Sequence, residues 1–312
     1  MFDQQSFKKQ AEFLILGAAV KTGLIDALSH EPQTSEQLAL LTGTDKRALS
    51  FVVNAMVELG YFKYDNGKID LSSQARLVFY DKDNPYYTGF SFMHFYNLIS
   101  KWLELPDVLK SGRPVERKGD IHETRNYIAA MRQFGKYSAP EIVEWCMKSL
   151  PANPHVLDVG GGPLTYARVF AEKGARVTVL DLPEVVDMVK EELDSDMAVN
   201  LIKGDLTKGL PEGPFDMIYL ANVCHIYGEN ENRKLFKEAA NELHEGGKLV
   251  INDIIGGTGP FAAVFAVNML VNTPSGGTWT YEQYKGWLQD AGFSVAPYEE
   301  IAGNQLIAAT KQ

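Results

Sequence analysis

An apolar run, a row of glycines, three acids and a histidine recur at intervals between residues 155 and 253 that would matter if alternating strands brought them to one edge. His155 to Gly162 (HVLDVGGG) reads as a strand carrying Asp158 and ending in Gly160, Gly161 and Gly162, a turn that lets a ligand approach the backbone closely. Val177 to Asp181 reads as the next strand, and an acid closing it can hold two ribose hydroxyls. A dinucleotide fingerprint needs a third glycine, but counting on from Gly160 lands on Thr165, which weakens a nicotinamide reading and leaves another nucleoside-bearing cofactor. In an open α/β sheet ligands bind outside the carboxyl ends of the strands. The groups at those ends are the glycine turn, Asp181, Asp205, the stretch from Ala221 through Asn222 to His225, and Asp253. Asp181 is placed for ribose and Asp205 with Leu206 for adenine. Their plainer alternatives are a cap before Pro183 and a turn before Thr207. His225 carries the side chain whose ordinary pKa of about 6.5 suits proton abstraction near neutrality. The other histidines, at positions 30, 94, 122, 155 and 244, have no comparable placement.

These residues need a scaffold. From 151 onward, strands near 155–159, 176–180, 199–203, 215–220 and 247–252 alternate with helical segments. Helices near 260–272 and 280–291 and short strands near 293–298 and 304–310 follow. The alternation predicts a Rossmann-like α/β domain with a mostly parallel, seven-stranded sheet covered on both faces. Ahead of it, Thr34 to Gln37 is a capping box opening a helix that ends near Gly43. Asp45 can cap a second helix carrying Leu49, Val52, Val53, Met56 and Leu59 on one face. Asn66-Gly67 is a hairpin turn between two short strands. Helix, turn, helix and wing spell a winged helix, yet the second helix offers only Lys46 and Arg47 beside Asp45 and Glu58, a poor match to DNA. Between the two lies an aromatic, mainly helical stretch holding Tyr86, Tyr87, Phe90, Phe92, Phe95, Tyr96 and Trp102, then Tyr127, Met131, Phe134 and Tyr137, with a loop around Gly112 to Gly119. It reads as core or as the wall of an acceptor pocket. The expected organisation is 1–85, a mainly helical winged-helix domain; 86–150, linker helices contributing to a pocket; and 151–312, the cofactor domain.

Length and composition bound the rest. At 312 residues, 45% hydrophobic and 22% charged, the chain can bury a sizeable core. Its formal charge of -10 argues against a nucleic-acid partner, because that affinity is largely cationic neutralisation of phosphates. Cys146 and Cys224 are too few for a disulfide framework and lack metal spacing, so no metal and a reducing, cytoplasmic setting are expected. The apolar stretch from Phe13 to Val20 is cut off by Lys21 and falls well short of the roughly 20 residues of a membrane span, so no membrane association is expected.

Several runs together resemble one family. Asp158 with the three glycines and Asp181 resemble motifs I and II of the S-adenosylmethionine-dependent methyltransferases. The runs from Asn222 to His225, Asn232 to Phe236 and Glu242 to Asp253 resemble the catalytic region of the small-molecule O-methyltransferases with a winged-helix dimerisation domain. That family includes plant caffeate-type enzymes, hydroxyindole O-methyltransferase and bacterial antibiotic and pigment methyltransferases. The likeness spans nearly the whole chain, taking in the helix around Tyr127 and Met131, Asp181-Leu182-Pro183, Gly204-Asp205, Gly246-Gly247 and the tail from Met269 to Phe293. It implies a class I methyltransferase fold, S-adenosylmethionine as cofactor with S-adenosylhomocysteine as product, a small-molecule acceptor, and a homodimer through the N-terminal domain. It also implies a cofactor site drawn from Asp158, Gly160, Gly161, Gly162, Asp181, Leu182, Asp205, Leu206, Ala221 and Asn222, His225 as general base and Asp253 as its orienter. The acceptor pocket would take Tyr127, Met131, Phe265, Met269, Asn272 and Trp279. Plant members follow the histidine with Asp-Trp, whereas Ile226-Tyr227 stands here, and they carry a second acid where Pro274 to Thr280 has no carboxylate. Bacterial members are the nearer comparison. A carbon or nitrogen acceptor, or a winged-helix regulator that senses the cofactor without turning it over, are the alternatives.

Overall fold

The computed structural model describes residues 3–80, 87–114, 121–194 and 197–312; Tyr86 and Gly119 lie outside them. The chain divides into two compact units, Met1–Ser100 and Lys101–Gln312.

In the first unit the local signals act as read. Thr34 Oγ1 accepts the Gln37 N–H at 3.2 Å while Gln37 Oε1 accepts the Thr34 N–H at 2.8 Å, closing the capping box of helix Ser35–Thr42. Asp45 Oδ1 accepts the Ala48 N–H at 2.9 Å and opens helix Lys46–Glu58. Strands β1 (Phe62–Asp65) and β2 (Lys68–Leu71) pair antiparallel across Asn66 and Gly67, both at positive φ as a two-residue hairpin turn of this hand requires. Leu49, Val53 and Met56 pack with Leu38, Phe62, Ile69 and Leu71 in one core. Phe92 lies against Phe13 and Phe79, so part of the aromatic stretch is core of this unit.

In the second unit eight strands form one sheet: β3 (His155–Val159), β4 (Arg176–Asp181), β5 (Val199–Lys203), β6 (Phe215–Ala221), β7 (Leu243–Asn252), β8 (Phe293–Val295), β9 (Glu299–Ile301) and β10 (Asn304–Lys311). The order is β5-β4-β3-β6-β7-β10-β8, with β9 added on β10. The first five are mutually parallel, and β10 runs antiparallel to β7. One strand was expected over 293–298. Instead β8 stops at Val295 and a separate β9 begins at Glu299, on either side of Pro297, which has no N–H to give a ladder. Seven strands therefore follow the expected path and β9 is an eighth. Apolar side chains fill both faces. One layer joins Leu157, Ile218, Leu249 and Ile307 to Leu235, Phe236, Tyr284 and Leu288 from helices Glu229–Glu242 and Tyr281–Asp290. The other joins Val156, Val177 and Tyr219 to Ile142, Cys146, Ala167 and Phe170 from helices Ala139–Met147 and Thr165–Glu172. Because β3 is flanked by β4 on one side and β6 on the other, the crevice of a doubly wound sheet opens at its carboxyl end, beside Gly160.

Candidate active site

The glycine turn is built for close approach. Gly160 and Gly162 sit at φ of 69° and 26°, where side chains are strained. A Cβ on Gly160 would stand 2.8 Å from Val223 Cγ2, and one on Gly161 2.8 Å from Asp158 Oδ2. Asp181 ties the turn down: Oδ2 accepts the Gly162 N–H and Oδ1 the Leu182 N–H, each at 2.7 Å. Burial pushes the Asp181 carboxyl above the usual range, and those two N–H groups oppose the shift. Helix Ile121–Gly135 covers the turn, with Ile128 Cδ1 3.4 Å from the Cβ position of Gly162 and Arg132 Nε donating to the Pro163 carbonyl at 3.3 Å.

Asp158 lies beneath, buried, with Oδ2 sealed and unpartnered. Burial, then the charge on Asp181, pushes its carboxyl up from 3.8 to about 7. Between about pH 4 and 7 the folded carboxyl keeps a proton that the unfolded chain has lost, so this group's stabilisation is present at acid pH and disappears as pH rises through 7. The difference is on the order of 4 kcal/mol. Asp158→Asn, neutral at every pH, is therefore expected to melt above the wild type at pH 8 and close to it at pH 4. Parallel thermal unfolding curves at the two pH values check this, and an unchanged pH slope in the variant would refute it.

Asp205 and Leu206 follow β5. Asp205 Oδ1 accepts from the Thr207 N–H at 2.9 Å and hydroxyl at 2.7 Å, capping the short turn Leu206–Lys208; these bonds hold its carboxyl below the usual range. The turn geometry is thus present, and Oδ2 lies 3.8 Å from the Lys208 ammonium. Leu182, beyond Asp181, is exposed. Ala221 ends β6, and Asn222 takes the left-handed region at φ 57°, its N–H donating to the Asn252 carbonyl at 2.9 Å.

His225 follows immediately, in a one-turn helix Cys224–Ile226, and is buried. Its Nδ1 is 2.6 Å from Asp253 Oδ1, and its backbone N–H donates to Asp253 Oδ2 at 3.0 Å. One carboxylate at the end of β7 therefore fixes both ring and backbone. With Nδ1–H committed to a carboxylate, Nε2 is the nitrogen with a free lone pair. The His225 carbonyl accepts the Gly277 N–H at 2.9 Å. Phe265, from helix Pro260–Asn272, meets the imidazole edge-on with centroids 4.9 Å apart at 86°.

The six acceptor candidates all fall in this unit. Tyr127 is pushed up to about 12 by burial and then by the carboxylates of Asp181 and Asp253, so its hydroxyl senses both the acid that ties down the glycine turn and the histidine's partner. Met131 is one turn further on the same helix and half-buried. Met269 is buried one turn beyond Phe265, and Asn272 donates back to the Asn268 carbonyl at 2.8 Å. Trp279 spends its indole N–H on the carbonyls of Cys224 and Tyr227, both at 3.2 Å.

Comparison with known proteins fixes the class. The O-methyltransferase domain family matches residues 114–294. The chain belongs to that family. It is similar to the S-adenosyl-L-methionine-dependent methyl transferase PigF of Serratia sp., 24% identical over 96% of this chain and 91% of that protein. It is likewise similar to the 3-hydroxy-5-methyl-1-naphthoate 3-O-methyltransferase of Streptomyces sahachiroi, 24% identical over 95% and 91%. Among solved structures, human N-acetylserotonin methyltransferase in complex with SAM superposes with a TM-score of 0.78 at 20% identity, covering 99% of this chain and 98% of that one. The protein is an S-adenosylmethionine-dependent methyltransferase.

Several residues of this O-methyltransferase escaped the reading of its sequence. Asn232 is fully buried, and its Nδ2 donates to the carbonyls of Cys224, Tyr227 and Gly228 at 2.9–3.0 Å, bracing the turn that carries His225. A signal was available, because Asn232 shares the apolar stripe of Leu235, Phe236 and Ala239, and a polar residue on a buried stripe needs a partner. The segment from Pro274 to Thr280, which lacks the second acid, grips the same turn by backbone. A Cβ on Gly276 would collide with the carbonyls of His225 and Ile226.

Proposed function

We propose that the protein transfers a methyl group to a hydroxyl of an aromatic small metabolite, with His225 as general base and Asp253 as its orienter. The contact between His225 Nδ1 and Asp253 Oδ1 carries this reading, because it commits one ring nitrogen and leaves the other a base beside the apolar wall of Phe265. The glycine turn, Asp181 and Leu182 would hold S-adenosylmethionine, and the sealed, unpartnered Asp158 carboxylate beneath the turn fits a ligand that brings a positive charge. Asp205, Leu206, Ala221 and Asn222 complete that rim. Bound there, the cofactor supplies a methyl on a sulfonium: the acceptor oxygen bonds the methyl carbon as the carbon–sulfur bond breaks, leaving S-adenosylhomocysteine. The chain's part is to hold the acceptor in line, exclude water and take the acceptor's proton on His225 Nε2, while Asp253 stabilises the imidazolium. Tyr127, Met131, Phe265, Met269, Asn272 and Trp279 form the acceptor's surroundings, and the relative named for a hydroxynaphthoate supports an aromatic acceptor.

We read helix, turn, helix and hairpin of the first unit as a winged helix used for homodimerisation. Leu40, Leu41, Phe51 and Phe7 are exposed there, apolar area that a second copy would cover. Net charge favours dimerisation over DNA, and no described helix is long and apolar enough to cross a membrane, in keeping with a cytoplasmic enzyme. The function is tested by incubating enzyme and cofactor with a panel of phenols, anilines and activated carbon acids. Release of S-adenosylhomocysteine with phenols is expected; release with anilines or carbon acids alone would contradict an oxygen acceptor, and none with any would favour a regulator.

A further inference from the structure

A polar cluster lies inside the sheet's apolar layer, on the face away from the histidine. Asn252, the last residue of β7, is buried, and its Nδ2 donates to the Tyr219 hydroxyl at 3.0 Å and to the Tyr166 hydroxyl at 3.2 Å. Both hydrogens of the amide are thereby spent. Tyr219 comes from β6 and is fully buried, Tyr166 comes from helix Thr165–Glu172, and their ring centroids are 5.0 Å apart. Burial pushes both hydroxyls above the ordinary tyrosine range, and the Asn252 amide opposes the shift. The strand residues before Asn252 are Leu249, Val250 and Ile251, all apolar and buried. An apolar residue facing two phenylalanines would fill this place at little cost, because exchanging every partner of a buried hydrogen bond for apolar groups is close to neutral. Stability alone gives no reason for three polar groups here.

Position supplies the reason. Successive side chains of an extended chain point to opposite faces, so Asn252 reaches the tyrosines while Asp253 reaches His225 and the Tyr284 hydroxyl on the other face. The Asn252 carbonyl accepts the Asn222 N–H at 2.9 Å, three residues before His225, and the Asp253 N–H donates to the Gln305 carbonyl at 3.1 Å. Both arms of the pair therefore leave from Asn252, one through β7 into Asp253 and the other through Asn222 into His225. We propose that Asn252 is a positioning residue for proton transfer: tied to Tyr219 and Tyr166, its amide fixes the strand end that aims the Asp253 carboxylate at the imidazole. The carboxylate must meet Nδ1 at 2.6 Å and the backbone N–H at 3.0 Å together, which leaves little room for a shifted backbone. A displacement of about 1 Å, started away from the reacting atoms, can cost about 10²-fold in rate. This inference rests on the reading of His225 and Asp253 as base and orienter.

The test is proton NMR of enzyme labelled with nitrogen-15 in histidine and saturated with S-adenosylhomocysteine. An Nδ1–H bonded to a buried carboxylate resonates far downfield, and loss of the signal in His225→Ala assigns it. The wild type is expected to show this resonance sharp, and Asn252→Val to lose or broaden it. The triple variant Asn252→Val, Tyr166→Phe, Tyr219→Phe replaces every partner, so it should melt close to the wild type and still lack the sharp signal. Turnover should fall about 10- to 100-fold in both variants, most for weakly acidic phenols. Adding Asn252→Val to His225→Ala should cost less than about a further twofold, because the aim of a missing imidazole no longer matters. An unchanged resonance in the triple variant, or an equal loss of rate with and without His225, would overturn the proposal. A wild type without the resonance would contradict the pair itself. Should His225→Ala retain full turnover, the base assignment would fail while the resonance would still report whether Asn252 holds the pair in place.

Discussion

His225→Ala is expected to lower kcat by about 10²–10⁴-fold while leaving cofactor affinity within about threefold. A phenol with an ordinary pKa near 10 is almost entirely protonated at pH 7, and an oxygen that keeps its proton is a poor nucleophile toward a methyl carbon. The imidazole is held at three points, Nδ1 and the backbone N–H on Asp253 and the carbonyl on Gly277, so its remaining nitrogen has one direction in which to act. Asp253→Asn should cost somewhat less, because the ring survives but loses the carboxylate that stabilises its charged form. Positioning would persist in both variants, which is why activity should fall to a residue rather than to nothing. Single-turnover rates at saturating cofactor, with melting curves to verify folding, measure this. A loss under about tenfold in His225→Ala would remove the histidine from proton transfer.

Asp181→Ala is expected to weaken S-adenosylmethionine binding by at least about 100-fold, the effect of losing two charge-assisted hydrogen bonds. Both oxygens of Asp181 already accept backbone N–H groups from the glycine turn and Leu182, so the side chain shapes the turn in addition to the ribose contact proposed for it. The variant should therefore also melt lower, because the Gly162 N–H loses its acceptor. Asp181→Asn, which can keep one oxygen on a backbone N–H, should fall between. Titration calorimetry with cofactor alone reads the effect. An Asp181→Ala affinity within about threefold of wild type would show that the acid only braces the turn.

The elements that were legible in the sequence are those with local causes. The capping box at Thr34, the Asp45 cap and the Asn66-Gly67 turn act through neighbours three or four residues away, and each forms as its residue types dictate. The parallel sheet was legible because its strands are continuous apolar runs, and the rim acids because they end those runs. What stayed hidden depends on contacts distant in sequence. Trp279 braces the turn that carries His225 across 55 residues, whereas the pairing of Asp253 with His225 across 28 was reached only through the family resemblance. The glycines of Pro274 to Thr280 look like loop punctuation until the carbonyl they must accommodate is in place. Asn252 lay unmarked beside Asp253 for the same reason, since only the hydroxyls of Tyr219 and Tyr166, 33 and 86 residues away, give its amide a direction.

The central claim is that His225 removes the acceptor's proton, and the rate of methylation across a series of phenols of graded acidity tests it most directly. With the base present, the wild type should depend weakly on phenol acidity. In His225→Ala, weakly acidic phenols should be methylated about 10²–10⁴-fold more slowly, while phenols already ionised at neutral pH should recover most of the wild-type rate. Equal losses in the variant across the whole series would contradict the account, because a group that only shapes the pocket is indifferent to whether the acceptor still holds its proton.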